Sequence, residues 1–188
     1  VEMNVKGIIF NTGKSTIVSV FGEASWNSFM AKLVVKDKYF GNIIMSITPI
    51  PIEKFLFFLD ELIKEFFNND YMQYVTFGKV AAKFALSGEG PYKSYMLTKD
   101  IKPFVESVMP KFYSTYFDEG VVTARLDQQT AHVTLTGLPI KHHYFELLIM
   151  GYFQKALKIF GKKVVAKRVR SMAAGDADVC FTYELRDV

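Results

Sequence analysis

The hydrophobic period of this chain changes near residue 120, and that change restricts what the chain can fold into. Before it, apolar residues recur every three to four positions, as on the buried stripe of a helix. After it they alternate, as on the buried face of a strand. Residues 121–126 and 131–136 alternate around the polar Asp127-Gln128-Gln129, which reads as a hairpin turn, and Gly137-Leu138-Pro139 closes the second strand. Residues 142–160 return to a long apolar helix ended by Gly161. Residues 162–172 and 178–186 are two further strands around Ala173-Ala174-Gly175-Asp176. Helices followed by β-β-α-β-β make an α+β fold, with a helical N-terminal part packed on a four-stranded antiparallel sheet.

In the helical part, an apolar segment at 5–10 leads into short helices at 11–20 and 25–34. Ser25 is placed to cap the second, whose Trp26, Phe29, Met30 and Leu33 share one face. Thr48-Pro49-Ile50-Pro51 is extended, and Pro51 suits the first turn of the next helix. That helix spans 52–67, where Phe55, Leu56, Leu59, Leu62, Ile63 and Phe66 keep the helical period until Asn68-Asn69-Asp70. Residues 71–86 form another, ended by Gly88-Glu89-Gly90-Pro91. Thr98 is a candidate cap for a helix reaching 109, which Pro110 kinks or restarts through 117.

A chain of 188 residues has the length of one domain, taken as 1–188. It holds 18 Phe and 10 Tyr. Such a surplus either fills a Phe-heavy core or lines an interface or pocket. No window reaches the ~18 uncharged apolar residues of a membrane span, and no basic-then-apolar leader opens the sequence. The single cysteine, Cys180, excludes a disulfide framework within one chain and fits a reducing compartment, so a cytoplasmic location is expected. A net charge of +4 is weak ground for nucleic acid. With no helix carrying clustered Arg, Asn and Gln, no specific nucleic-acid partner is expected.

Chemistry-bearing groups are sparse. His132 lies on a strand, while His142 and His143 are adjacent at the start of the long helix, pointing about 100° apart, so no metal site is expected. Gly13-Lys14-Ser15-Thr16 imitates the end of a phosphate loop, but Ile8 stands where its first glycine belongs. No acid–base or nucleophile pair can be assembled, and an enzyme is not expected. Cys180, between Val179 and Phe181, is either a buried small hydrophobe or a pocket thiol. Lys162, Lys163, Lys167, Arg168 and Arg170 crowd one strand. Alternation puts Lys162, Arg168 and Arg170 on one side and Lys163 and Lys167 on the other, either as an edge strand guarded by charge or as an anion-binding strip on Lys162, Arg168 and Arg170.

Several short motifs recur in order: Lys6-Gly7-Ile8-Ile9-Phe10, Phe21-Gly22-Glu23 with Trp26, Tyr74-Val75-Thr76-Phe77-Gly78, Thr136-Gly137-Leu138-Pro139, Met150-Gly151-Tyr152-Phe153 and Gly175-Asp176. Their order and spacing resemble a family of bacterial proteins expanded as paralogues in myxobacteria. That family is similar, at a distance, to the haem nitric-oxide/oxygen-binding (H-NOX) sensors, the 4-vinyl-reductase small-molecule-binding domains and the Bet3-like subunits of vesicle-tethering complexes. The resemblance implies helices and an antiparallel sheet around a hydrophobic pocket. It also implies a proximal histidine on the mid-chain helix and a Tyr-x-Ser-x-Arg motif wherever haem is held. Residues 101–117 have no histidine, and Tyr92-Lys93-Ser94-Tyr95-Met96 has Met where Arg is needed. Of the Cys-x3/4-Gly-x3/4-Cys pattern of 4-vinyl-reductase domains only Gly175 and Cys180 remain.

These observations lead to the expectation of a sensor or regulatory domain that binds an apolar small molecule or lipid-like ligand, with no cofactor. The alternative is a homodimeric interaction module with no ligand. The pocket is expected between the long helix, through Phe145, Ile149 and Phe153, and the mid-chain helices, through Phe77, Phe84, Phe104 and Val108. The competing reading is that these side chains fill a solid core.

Overall fold

The computed structural model describes residues 2–97 and 99–188, and its chain divides into two compact units. The first runs to Gln73 and takes in Tyr116–Asp118; the second comprises Tyr74–Thr115 and Glu119–Val188. The Thr98 cap lies outside the described residues. The helix that follows is capped by Asp100, whose carboxylate accepts from Lys102 N.

In the first unit, β1 (Asn4–Lys6) pairs antiparallel with β2 (Pro49–Pro51), a short ribbon that no sequence pattern announces. Helices α1 (Gly7–Phe21) and α2 (Glu23–Lys36) are separated by Gly22 at φ 86°. α2 therefore begins at Glu23, two residues before the expected Ser25 cap. Ser25 is inside the helix, donating from Oγ to the Phe21 carbonyl at 2.8 Å. Helix α3 (Ile52–Phe67) has the predicted bounds, and Asn68 ends it in the left-handed conformation. Rings from these elements interlock: Phe58 lies 4.6 Å from Phe10, 6.2 Å from Trp26, 6.1 Å from Phe29 and 6.1 Å from Phe40 between centroids.

In the second unit, α4 (Gln73–Ala85) is followed by a 3-10 turn, Lys93–Leu97, and then by a helical rod in three parts. These parts are α5 (Ile101–Pro103), a π-helical segment Phe104–Val108, and α6 (Met109–Tyr116). Pro110 has no N–H to give the carbonyl four residues back. The ladder widens there, with Met109 N donating to the Phe104 carbonyl.

The sheet is the antiparallel four-stranded one expected, in the order β3-β4-β6-β5, from β3 (Val121–Asp127), β4 (Thr130–Thr136), β5 (Lys163–Arg170) and β6 (Val179–Arg186). Helix α7 (His143–Leu157) connects the two hairpins. Alternation holds: Ala131, Val133, Leu135, Val179, Phe181, Tyr183 and Leu185 are buried, while His132, Thr134, Cys180 and Thr182 lie on the other face. No helix among the described residues is long and apolar enough to cross a membrane.

Candidate functional site

Helix α7 is buried on two sides, and its two sides meet different layers. Toward the sheet it offers the stripe Phe145, Ile149 and Phe153, all at most 3% exposed. Phe153 lies 6.4 Å from the Tyr183 ring, and the Tyr183 hydroxyl donates to the Ile149 carbonyl at 3.4 Å. Toward the other helices it offers Tyr144, Leu148, Gly151 and Tyr152. There the α4 and α7 backbones touch. A Cβ on Gly78 would stand 2.1 Å from the Leu148 carbonyl oxygen, and one on Gly151 would stand 2.0 Å from that of Val75.

This arrangement corrects the expected pocket wall by wall. Phe145, Ile149 and Phe153 face the sheet, whereas α4 and α6 pack on the opposite side of α7. Phe77 and Val108 are half-buried, and Phe84 is 47% exposed. Of the mid-chain set, only Phe104 is in the interior. The helical period finds the buried stripes of α7, but it carries no information about which stripe meets which layer.

Phe104 belongs to an aromatic cluster on the helix-facing side of α7. Phe112 is at its centre, 4.4 Å from Tyr92, 6.3 Å from Tyr95, 5.9 Å from Phe104 and 5.6 Å from Tyr152. Phe160, from the 3-10 turn after α7, adds an edge-on contact to Phe104 at 5.2 Å. The π-helical widening lets this rod bury both Phe104 and Val105, next to Met109 and Phe112. Phe104, Phe112 and Tyr152 form a buried floor, while Tyr92, Tyr95 and Phe160 are half-buried at its rim. The Tyr92 hydroxyl donates to Thr115 Oγ1, which donates to the Lys111 carbonyl. Burial, opposed by that hydrogen bond, raises the Tyr92 pKa. Sequence reasoning missed Tyr92, Tyr95, Phe112 and Phe160 as a group. The only available signal was the aromatic density of residues 92–117.

A second aromatic group surrounds the start of α7. Tyr74 lies 5.5 Å from Tyr144 and 6.2 Å from His142. Burial raises the Tyr144 pKa well above the ordinary phenol value, and negative charge on Tyr74 or Tyr113 would raise it further. His142 caps α7: its Nδ1 accepts from Tyr144 N at 3.0 Å, which assigns the ring proton to Nε2.

Lys162, Arg168 and Arg170 of the basic strand are each committed to a carboxylate of this chain. Lys162 pairs with Asp187. Arg168 turns inward to the buried Glu146 of α7 at 2.6 Å, and the second Glu146 oxygen accepts from Ala173 N at 2.9 Å. Arg170 pairs with Asp178 and also donates to Cys180 Sγ at 2.8 Å. A β-bulge between Arg168 and Arg170 turns Arg170 to the outer face, so Lys162, Arg168 and Arg170 do not form the single-sided strip that alternation alone predicts. Cys180 is half-buried on that outer face, with Thr134 Oγ1 at 3.2 Å, and is not in the core.

No protein-family model and no curated sequence matches the chain. Solved structures do match. An H-NOX protein from S. oneidensis, in its Fe(II)NO ligation state, superposes with a TM-score of 0.72 at 15% identity, over 97% of this chain and 99% of that one. Unliganded Fe(II) H-NOX from K. algicida superposes with 0.68 at 14% identity, over 97% of each chain. The chain has the H-NOX fold. The H-NOX neighbours span both compact units, and the likeness extends to the four-stranded sheet and the helices that precede it.

The residues present do not fit a haem held, as the resemblance implies for H-NOX sensors, by a histidine of the mid-chain helix. Residues 101–116 contain none. His132 is on the outer sheet face, His142 is spent on its cap and His143 is exposed. Among the described residues no group of three His, Cys, Asp or Glu could hold a metal ion.

Proposed function

We propose that this chain is a sensor or regulatory domain that holds a small apolar molecule, without haem, at the cluster of Tyr92, Tyr95, Phe104, Phe112, Tyr152 and Phe160. One observation carries the reading: within an H-NOX fold, the rod at 101–116 presents aromatic rings and no histidine. Aromatic faces and edges bind flat or chain-like apolar groups through area and dispersion, and demand no charge from the ligand. The half-buried rim supplies the way in, and the Tyr92–Thr115 hydroxyl pair can receive one polar end. The motif order in the sequence supports the wider kinship with 4-vinyl-reductase domains and Bet3-like subunits, which the resemblance associates with hydrophobic pockets.

The test is titration with a fluorescent fatty acid. Wild-type protein is expected to take up one equivalent at roughly micromolar strength. Tyr95→Ala, at the rim, should weaken uptake about tenfold through lost contact area, and Phe84→Ser, on the exposed face of α4, should leave it unchanged. Absence of saturable uptake by folded wild-type protein, or equal uptake by Tyr95→Ala, would remove the reading.

A further inference from the structure

We propose that the turn at residues 43–48, in the first unit, is a docking tip for an anionic lipid surface. Ile43, Met45 and Ile47 are 88%, 58% and 80% exposed, so every second residue offers an apolar side chain to solvent. The backbone beneath them is tied down. Gly7 N donates to the Thr48 carbonyl at 2.8 Å and Ile8 N to the Ser46 carbonyl at 2.9 Å. These are amides in the first turn of α1, which a helix leaves without internal partners. The turn is closed by Thr48 N to the Met45 carbonyl and by Met45 N to Thr48 Oγ1, both at 3.0 Å. Gly7 permits the approach, since a Cβ there would stand 2.1 Å from the Met45 carbonyl oxygen. Single exposed apolar residues need no explanation. Three on one hydrogen-bonded turn are held out at a cost that burial elsewhere would recover.

Charge identifies what covers them. Lys6 is exposed and sits opposite Pro49 in the β1–β2 register, two residues beyond Ile47. Lys38 is exposed and opens the 3-10 turn Lys38–Gly41 that leads into the segment. Neither has a carboxylate partner among the described residues, and the nearby Asp37 is taken by Lys54 at 2.5 Å. Apolar side chains beside unpaired lysines match acyl chains beneath anionic headgroups. Protein partners fit less well. Three side chains offer roughly a few hundred Å², against the ~800 Å² per partner of a stable protein interface.

The test is co-flotation with vesicles of phosphatidylcholine alone and of phosphatidylcholine with about one-third phosphatidylserine. Wild-type protein is expected to float with the mixed vesicles about tenfold more strongly than with the neutral ones, an advantage that salt should reduce. Ile43→Ser/Ile47→Ser and, separately, Lys6→Glu/Lys38→Glu should each lose about tenfold, by lost apolar area and by lost attraction to the headgroups. The substituted side chains are exposed, so thermal melts should match wild type, and either variant alone suffices. Failure of wild-type protein to float with the mixed vesicles overturns the proposal, as does full binding by both variants. Self-association that is abolished by Ile43→Ser/Ile47→Ser, without vesicle binding, assigns the turn to a second copy and also overturns it.

Discussion

The Gly78 Cα and the Leu148 carbonyl approach so closely that a methyl group on Gly78 would stand 2.1 Å from that oxygen, and Gly151 repeats the relation against Val75. Two helices thus meet backbone to backbone through reciprocal glycines. Because the obstructing atoms are carbonyl oxygens, rotamer changes cannot make room. Gly78→Ala and Gly151→Ala are each expected to cost about 3 kcal/mol, read as a lowered urea midpoint. Gly13→Ala, in α1 with its nearest side-chain contact at 3.9 Å, should be neutral or gain up to ~1 kcal/mol through helix propensity. Equal effects at all three positions would contradict the seam.

The two arginines of the basic strand should behave differently. Arg168→Met leaves the Glu146 carboxylate buried, with its bond from Ala173 N but no counter-charge. It should cost about 3 kcal/mol. Arg170 is half exposed with its Asp178 pair on the outer face, and Arg170→Met should cost less than ~1 kcal/mol. Urea unfolding of both variants checks this, and similar losses would mean that Arg168 does not serve the core.

How much of this could be read from the sequence depends on the element. The change of period near residue 120 fixes the fold class and the sheet, because alternation needs only local pattern. Helix α3 shows its bounds in its own apolar spacing and in Asn68. The β1–β2 ribbon is hidden because Asn4–Lys6 and Pro49-Ile50-Pro51 are too short to carry a pattern, and its existence depends on partners more than 40 positions apart. The bulge after Arg168 is equally silent and reverses the side on which Arg170 emerges. Helix α7 is recognisable in the sequence as apolar nearly all round, and so as buried on more than one side. Only the tertiary structure shows that Ile149 meets the sheet while Tyr152 meets Phe112. The aromatic cluster accordingly lies on the face of that helix opposite the stripe of Phe145, Ile149 and Phe153.

Alkaline titration should separate the tyrosines. Tyr144 and Tyr183 are held well above the ordinary phenol pKa by burial, so the native state keeps protons that the unfolded chain releases. Their contribution to stability is complete below ~10 and is lost as pH rises beyond it. Phenolate absorbance should develop in two phases, with these two residues ionising only as the far-ultraviolet dichroism collapses. A single rapid phase with native dichroism intact would refute the burial.

Reconstitution with haemin provides a separate check. With no histidine in residues 101–116, the protein should show no sharp Soret band after incubation and desalting. Stoichiometric uptake that is lost on replacing one of His132, His142 or His143 would show that a ligand site exists outside the rod.

Native mass spectrometry of freshly purified protein tests the central claim most directly, because it reports a retained ligand and the oligomeric state together. The expected spectrum is the chain plus one non-covalent organic molecule, smaller than haem or spectrally distinct from it. That species should be stripped by solvent extraction and restored by an added fatty acid in wild type, and restored only at about tenfold higher fatty acid in Tyr95→Ala. A bare chain mass that no fatty acid shifts, or a chain that carries haem, would contradict the account.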